Sequence, residues 1–186
     1  MKRCFDLVLA LIASFILILP ITVIALALIV TSKGTIIYWS DRVGQNNKIF
    51  RMPKFRTMKL KTPAIATHLL SDTKQFMTPV GGFLRKTSLD ELPQLWSILM
   101  GHMSFVGPRP ALFNQDDLIQ LRTTKGIHKL VPGLTGWAQV NGRDELPIPI
   151  KVDLDLEYVE RQSFYFDIYV LWLTFIKVVR GEGVSH

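Results

Sequence analysis

Residues 7–30 read LVLALIASFILILPITVIALALIV, twenty-four positions without a charge. As one straight helix this run would reach about 36 Å at 1.5 Å per residue, enough to cross a hydrocarbon core of about 30 Å. Pro20 stands near its middle. A proline there removes one backbone hydrogen bond and crowds the carbonyl four residues earlier, so the sequence predicts a bend. Lys2 and Arg3 flank the run on one side, and Lys33, Arg42, Lys48 and Arg51 on the other. Basic residues stay on the cytoplasmic side of a membrane. The pattern therefore favours a re-entrant helical hairpin, broken near Pro20, over a simple span. Ser14 is a candidate to satisfy the bent backbone within the bilayer. A cleaved signal peptide is a third reading, since Ala25-Leu26-Ala27 has small-residue cleavage-site character. The apolar run is, however, longer than the usual core of about 7–15 residues.

Outward from this anchor, taken as residues 1–33, the remaining 34–186 read as a single domain. The chain of 186 residues is 48% hydrophobic and 20% charged. That is too apolar for disorder and too charged for a bundle of spans. No repeat or low-complexity tract occurs. The net charge of +7 is concentrated early, in Lys2, Arg3, Lys33, Arg42, Lys48, Arg51, Lys54, Arg56, Lys59 and Lys61 against Asp6 and Asp41. Anionic headgroups or a polyanionic substrate would suit it. Nucleic acid is not indicated, because no nucleic-acid motif accompanies the charge. The single cysteine, Cys4, cannot form an internal disulfide; it reads as a small lipid-facing or core residue, or as a palmitoylation site.

Thr35–Trp39 and Lys48–Phe55 flank the turn residues Arg42–Asn47, which predicts a small β-hairpin. Helical patterns begin near Gly82 and run over Leu89–Leu99, Asn114–Thr124 and Val152–Arg161. Gly101–Pro110 and Val131–Pro149 read as loops, the second a Gly- and Pro-rich system of the kind that packs around ligands. Ser163–Val179, SFYFDIYVLWLTFIKVV, is short for a span and carries Asp167 and Lys177. It fits an interfacial helix with Trp172 at headgroup depth, the other reading being a buried core helix.

Four stretches carry chemistry. In Ser88-Leu89-Asp90-Glu91, adjacent carboxylates suit a nucleophile and a metal ligand. The spacing Ser88 to Glu91 is equally that of a capping box, and on local grounds a cap is the stronger reading, although Pro93 falls inside its first turns. In Gly107-Pro108-Arg109-Pro110, prolines hold Arg109 on a stiff loop, as phosphate binding wants and as a tight turn also allows. Pro132–Arg143 offers glycines, Gln139 and Arg143 to a diphosphate or a base. Lys54-Phe55-Arg56 reads locally as a headgroup-binding basic patch.

Together these stretches resemble one family. KFRTM at 54–58, SLDELPQL at 88–95, MSFVGPRP at 103–110 and PGLTGWAQVNGR at 132–143 occur in the order found in the small monotopic phosphoglycosyl transferases, the bacterial sugar transferase family. The likeness covers nearly the whole chain and outweighs the local reading of a helix cap. It implies a mainly helical α+β domain with a re-entrant anchor, a β-hairpin and interfacial helices, on the cytoplasmic face of the bacterial inner membrane. It implies Mg²⁺-dependent transfer of a phosphosugar from a UDP-sugar to undecaprenyl phosphate, with release of UMP. This would be the first membrane step of O-antigen, capsule, exopolysaccharide or glycoprotein glycan synthesis. Asp90 would be the nucleophile, carrying the phosphosugar as an acyl phosphate, and Glu91 would tune it or share the metal. Lys54, Arg109 and Arg143 would bind phosphates, with Arg56 and Gln139 as weaker candidates. Asp155 and Tyr158 fall on the acidic helix that follows, Asp155 as a supporting or metal-linked residue. Two positions depart from the family pattern: Leu19 precedes Pro20 where serine is common, and His102 stands where aspartate is usual. Two rivals without catalysis are a membrane-anchored scaffold for glycan assembly and a module that reads anionic lipids.

Overall fold

A computed structural model describes residues 1–32, 34–60, 62, 73–142 and 146–180. Helix α1 (Lys2–Thr31) comes first, then strands β1 (Ile37–Val43) and β2 (Ile49–Phe55), and helices α2 (Thr73–Phe76) and α3 (Gly81–Lys86). A 3-10 turn over Leu89–Gln94 runs into α4 (Leu95–Leu99) and then β3 (Ser104–Val106). Helix α5 (Asp116–Thr124), strand β4 (Gly133–Thr135), and helices α6 (Trp137–Val140), α7 (Ile148–Arg161) and α8 (Phe164–Arg180) complete the order. The architecture is mainly helical with two small sheets, as the α+β reading expects.

Helix α1 is one element with Pro20 inside it, not two separate arms. The proline forfeits only its own donor, and packing holds both sides of it: Leu17 lies against the central core and Ile21 against a second cluster. Beside the proline, the Thr22 hydroxyl donates to the Ile18 carbonyl at 2.8 Å. The helix is long and apolar enough to cross a membrane. Nearly all of its outer side is bare, Phe15 being 81% and Leu19 71% exposed.

Both ends of α1 dock on the same body. At its start, Lys2 pairs with Asp167 of α8, Arg3 donates to the carbonyls of Ile98 and Leu99, and the Asp6 carboxylate accepts from the Phe105 N–H. Near its end Leu28 is buried against Phe55 and Leu84. The central core between them gathers Ala10, Met52, Ile98, Met103, Val106, Tyr158 and Val170.

The hairpin pairs antiparallel from Ile37↔Phe55 to Val43↔Ile49. Its turn is made by Gly44 with Asn46 and Asn47 at positive φ, a conformation asparagine tolerates. Strands β3 and β4, parallel to each other, lie inside stretches expected to be loops. Their backbones meet closely there: a Cβ on Gly133 would fall 2.1 Å from the Gly107 nitrogen, so only glycine fits. This contact ties the Gly107–Pro110 loop to the Pro132–Gly136 loop. Asp167, in the first turn of α8, is buried and bonded to Lys2 and Tyr158.

Candidate active site

Strand β2 and the 3-10 turn Leu89–Gln94 pack against each other, and this brings the two carboxylates under the hairpin. The turn begins at Ser88 with φ 56°, a left-handed position that non-glycine residues adopt rarely. The capping box does not form. The Ser88 side chain makes no capping bond, and the turn is 3-10 through Pro93. Glu91 is thereby released from the backbone and its carboxylate faces outward to cations.

Glu91 Oε1 accepts from Lys54 Nζ at 2.8 Å and from Arg109 Nη2 at 2.7 Å. Burial pushes the Glu91 carboxyl up, but the charges and hydrogen bonds of Arg109 and Lys54 outweigh it and hold the group well below the usual carboxylate range. Lys54 is itself pushed down by burial, with Glu91 opposing. Asp90 differs from its neighbour. It is 8% exposed, and it accepts no hydrogen bond among the described residues. Burial pushes its carboxyl up; Lys54 opposes this, Glu91 adds to it, and Arg85 and Arg109 oppose it more weakly. Adjacent carboxylates thus hold different roles, one neutralised by two cations and one uncommitted.

Arg109 is fixed from behind. Arg122 donates through Nη1 to the Arg109 carbonyl at 2.7 Å, while its Nε and Nη2 both bond Asp155 Oδ2. Asp155 is thus joined to the Arg109 backbone through Arg122. Tyr158, also from α7, is 1% exposed, and its hydroxyl donates to Asp167 Oδ1 at 2.6 Å in the core. Gln139 donates to the Leu134 carbonyl at 3.0 Å, and its buried Oε1 has no partner among the described residues. Arg56 turns to the strand end, bonding the Thr35 carbonyl and hydroxyl. Arg143 lies outside the described residues.

The structure thus unites Lys54, Asp90, Glu91 and Arg109 and separates Arg56, Gln139, Asp155 and Tyr158 from them. It adds Arg85, whose Nε donates to Thr57 Oγ1 at 2.9 Å and whose charge bears on Asp90. Sequence reasoning missed Arg85 and Arg122, because a basic residue on a short helix looks like a solvated one. No group of three or more candidate metal-ligating side chains occurs among the described residues. That donor set still suits Mg²⁺, which takes one or two carboxylates and completes its shell with water and substrate phosphate. The uncommitted Asp90 oxygens and Glu91 Oε2 are the donors available.

The site is a carboxylate pair set beside the half-buried cations Lys54 and Arg109, in a chain whose α1 is long and apolar enough to cross a membrane. Residues 1–181 match the family model described as bacterial sugar transferase, and the chain belongs to that family. A UDP-glucose:undecaprenyl-phosphate glucose-1-phosphate transferase of Escherichia coli (strain K12) is 40% identical over 185 residues, which is 95% of this chain and 40% of that protein. The "Uncharacterized sugar transferase EpsL" of Bacillus subtilis (strain 168) is 38% identical over 193 residues, 100% of this chain and 91% of its own. An undecaprenyl-phosphate galactose phosphotransferase of Salmonella typhimurium is 34% identical over 203 residues, 98% of this chain and 41% of its own. The chain therefore spans less than half the length of two of these relatives and most of the third.

Proposed function

We propose that the protein transfers a sugar phosphate from a UDP-sugar to undecaprenyl phosphate, with UMP as the leaving group. One observation carries the reading: Asp90 is a buried carboxylate without a hydrogen-bond partner among the described residues, beside a carboxylate already neutralised by Lys54 and Arg109. An Asp90 oxygen attacks the β-phosphorus of the donor. The bond from that phosphorus to the bridging oxygen breaks, and UMP leaves with the electron pair. The phosphosugar remains on Asp90 as an acyl phosphate, chemistry within the reach of a carboxylate nucleophile. An oxygen of undecaprenyl phosphate then attacks the same phosphorus and frees the Asp90 carboxylate. Lys54 and Arg109 offset the charge that two polyanions bring together, at fixed positions that need no reorganisation. Mg²⁺, held by Asp90 and Glu91, would supply further charge neutralisation.

The anchor supports a monotopic arrangement at the cytoplasmic face of the inner membrane. Lys2, Arg3 and Asp6 at one end of α1 and Leu28 at the other all bond or pack onto one domain. Both ends then lie on the same side, with the bare outer side of the helix in lipid and the exposed Trp172 and Phe175 of α8 at the interface.

The test is product analysis. The protein, Mg²⁺ and undecaprenyl phosphate are incubated with a panel of UDP-sugars beginning with UDP-glucose and UDP-galactose. UMP is expected, and without acceptor the chain gains the mass of one phosphosugar. Release of UDP in place of UMP would overturn the proposal.

A further inference from the structure

Away from the carboxylate pair, an open groove of about 720 Å³ lies where the end of α1 meets the hairpin. Its walls are Ile29 of α1, Thr35, Tyr38, Trp39, Arg51 and Arg56, and no acidic residue lines it. The two arginines are arranged alike. The Arg51 guanidinium stands 5.4 Å from the centroid of the Trp39 ring, and that of Arg56 stands 5.9 Å from the Tyr38 ring. Stacking fixes the plane of a guanidinium and leaves its N–H edge for an oxyanion. Arg56 is held further by Nε and Nη2 on Thr35, so Nη1 is the group left to bind. Arg51 makes no hydrogen bond or ion pair among the described residues. Both rings are about two-fifths exposed, and Ile29 presents apolar surface continuous with the lipid-facing side of α1.

We propose that this groove binds the phosphate headgroup of an anionic bilayer phospholipid. The chemistry is that of a lipid phosphate: a ring-stacked arginine, Arg51 or Arg56, for the oxyanion, aromatic rings at headgroup depth, and an apolar wall for the first acyl carbons. Undecaprenyl phosphate carries a phosphate too, but as an acceptor it must reach the phosphorus on Asp90. Neither Asp90, Glu91 nor Arg109 lines the groove. The occupant is therefore a resident phospholipid that braces the hairpin bearing Lys54. The exclusion of undecaprenyl phosphate rests on the reaction proposed above, whereas the groove's arginines and rings do not.

The full chain is placed in nanodiscs of phosphatidylcholine containing phosphatidylglycerol, with one or the other lipid brominated on its acyl chains. The quenching due to Trp39 is the difference between the unaltered chain and Trp39→Phe. Brominated phosphatidylglycerol is expected to quench Trp39 more than brominated phosphatidylcholine at equal mole fraction. In Arg51→Gln/Arg56→Gln the preference should fall at least about fivefold, as for loss of one surface cation or more. Independently of any arginine variant, the preference should collapse as salt rises from about 0.05 to 0.5 M. Equal quenching by the two lipids, or a preference that survives in the double variant, would overturn the proposal. So would displacement of the phosphatidylglycerol by stoichiometric undecaprenyl phosphate, which would give the groove to the acceptor.

Discussion

Arg109 Nη2 lies 2.7 Å from Glu91 Oε1, across the gap between the proline-flanked loop and the 3-10 turn. Glu91 is thus a counter-ion shared by two cations, Arg109 and Lys54, next to Asp90 in the chain. Glu91→Gln should leave two half-buried cations without their charge partner and lower stability by about 1–3 kcal/mol. Because the folded pKa of Glu91 is depressed, its contribution is present above the unfolded value near 4.5 and is lost as pH falls. Thermal melts from pH 7 to pH 3 should therefore show the gap between the two proteins narrowing in acid.

Asp90→Asn should reduce UMP formation on the order of 10⁴-fold or more, as for loss of a nucleophile. The fold should not suffer. A raised folded pKa stabilises the protein only at low pH, and that contribution is lost as pH rises through the folded value. At neutral pH the asparagine removes a poorly solvated charge, so its Tm should equal or exceed that of the parent. A large fall in Tm would assign Asp90 a structural role.

The first half-reaction should show an acid limb governed by Asp90, with an apparent pKa above the ordinary 3.8. Lys54 holds that value down, so Lys54→Met should move the limb to higher pH as well as lower the rate. A pH–rate profile of UMP release in single turnover reads both effects. An unmoved limb would separate Lys54 from Asp90.

Asp155 and Arg122 should behave as one unit that positions Arg109. Either Asp155→Asn or Arg122→Gln should cost about 3–5 kcal/mol, because each strands a buried partner. A double-mutant cycle should return a coupling of about 1–3 kcal/mol. Loosening of Arg109 should appear as weaker donor affinity, even where the variant remains folded at the assay temperature.

Topology has a direct check in Cys4, the native cysteine, which is exposed. With Thr31→Cys added, a membrane-impermeant thiol reagent should reach both ends of α1 from the cytoplasmic side of inverted vesicles. Labelling of the two ends from opposite sides would make α1 a span.

Much of this fold follows from periodicity. The apolar run of α1, the alternating β1 and β2 with their asparagine turn, and the spacings of α5, α7 and α8 are long enough to declare themselves. Strands β3 and β4 are three residues each, too short for a period, and exist because Gly107 and Gly133 let two loops touch. The Ser88–Glu91 spacing misleads locally, since the capping box presumes an α-helix and Pro93 sits in a 3-10 turn. At the site, the motifs locate Lys54, Asp90, Glu91 and Arg109. They give no sign of Arg85 or Arg122, whose meaning comes from what folds against them. Asp155 and Tyr158 stand on the expected helix, yet burial turns one toward Arg122 and the other toward Asp167.

The bond from Lys2 to Asp167 bears on how the chain is born. At about 5–20 residues per second, the 165 positions between them take on the order of ten to thirty seconds to synthesise. Through that interval the first turn of α1 has no acidic partner, and Asp6 waits for the Phe105 N–H. Helix α8 is made after α1, so the bond that ties the two together closes late.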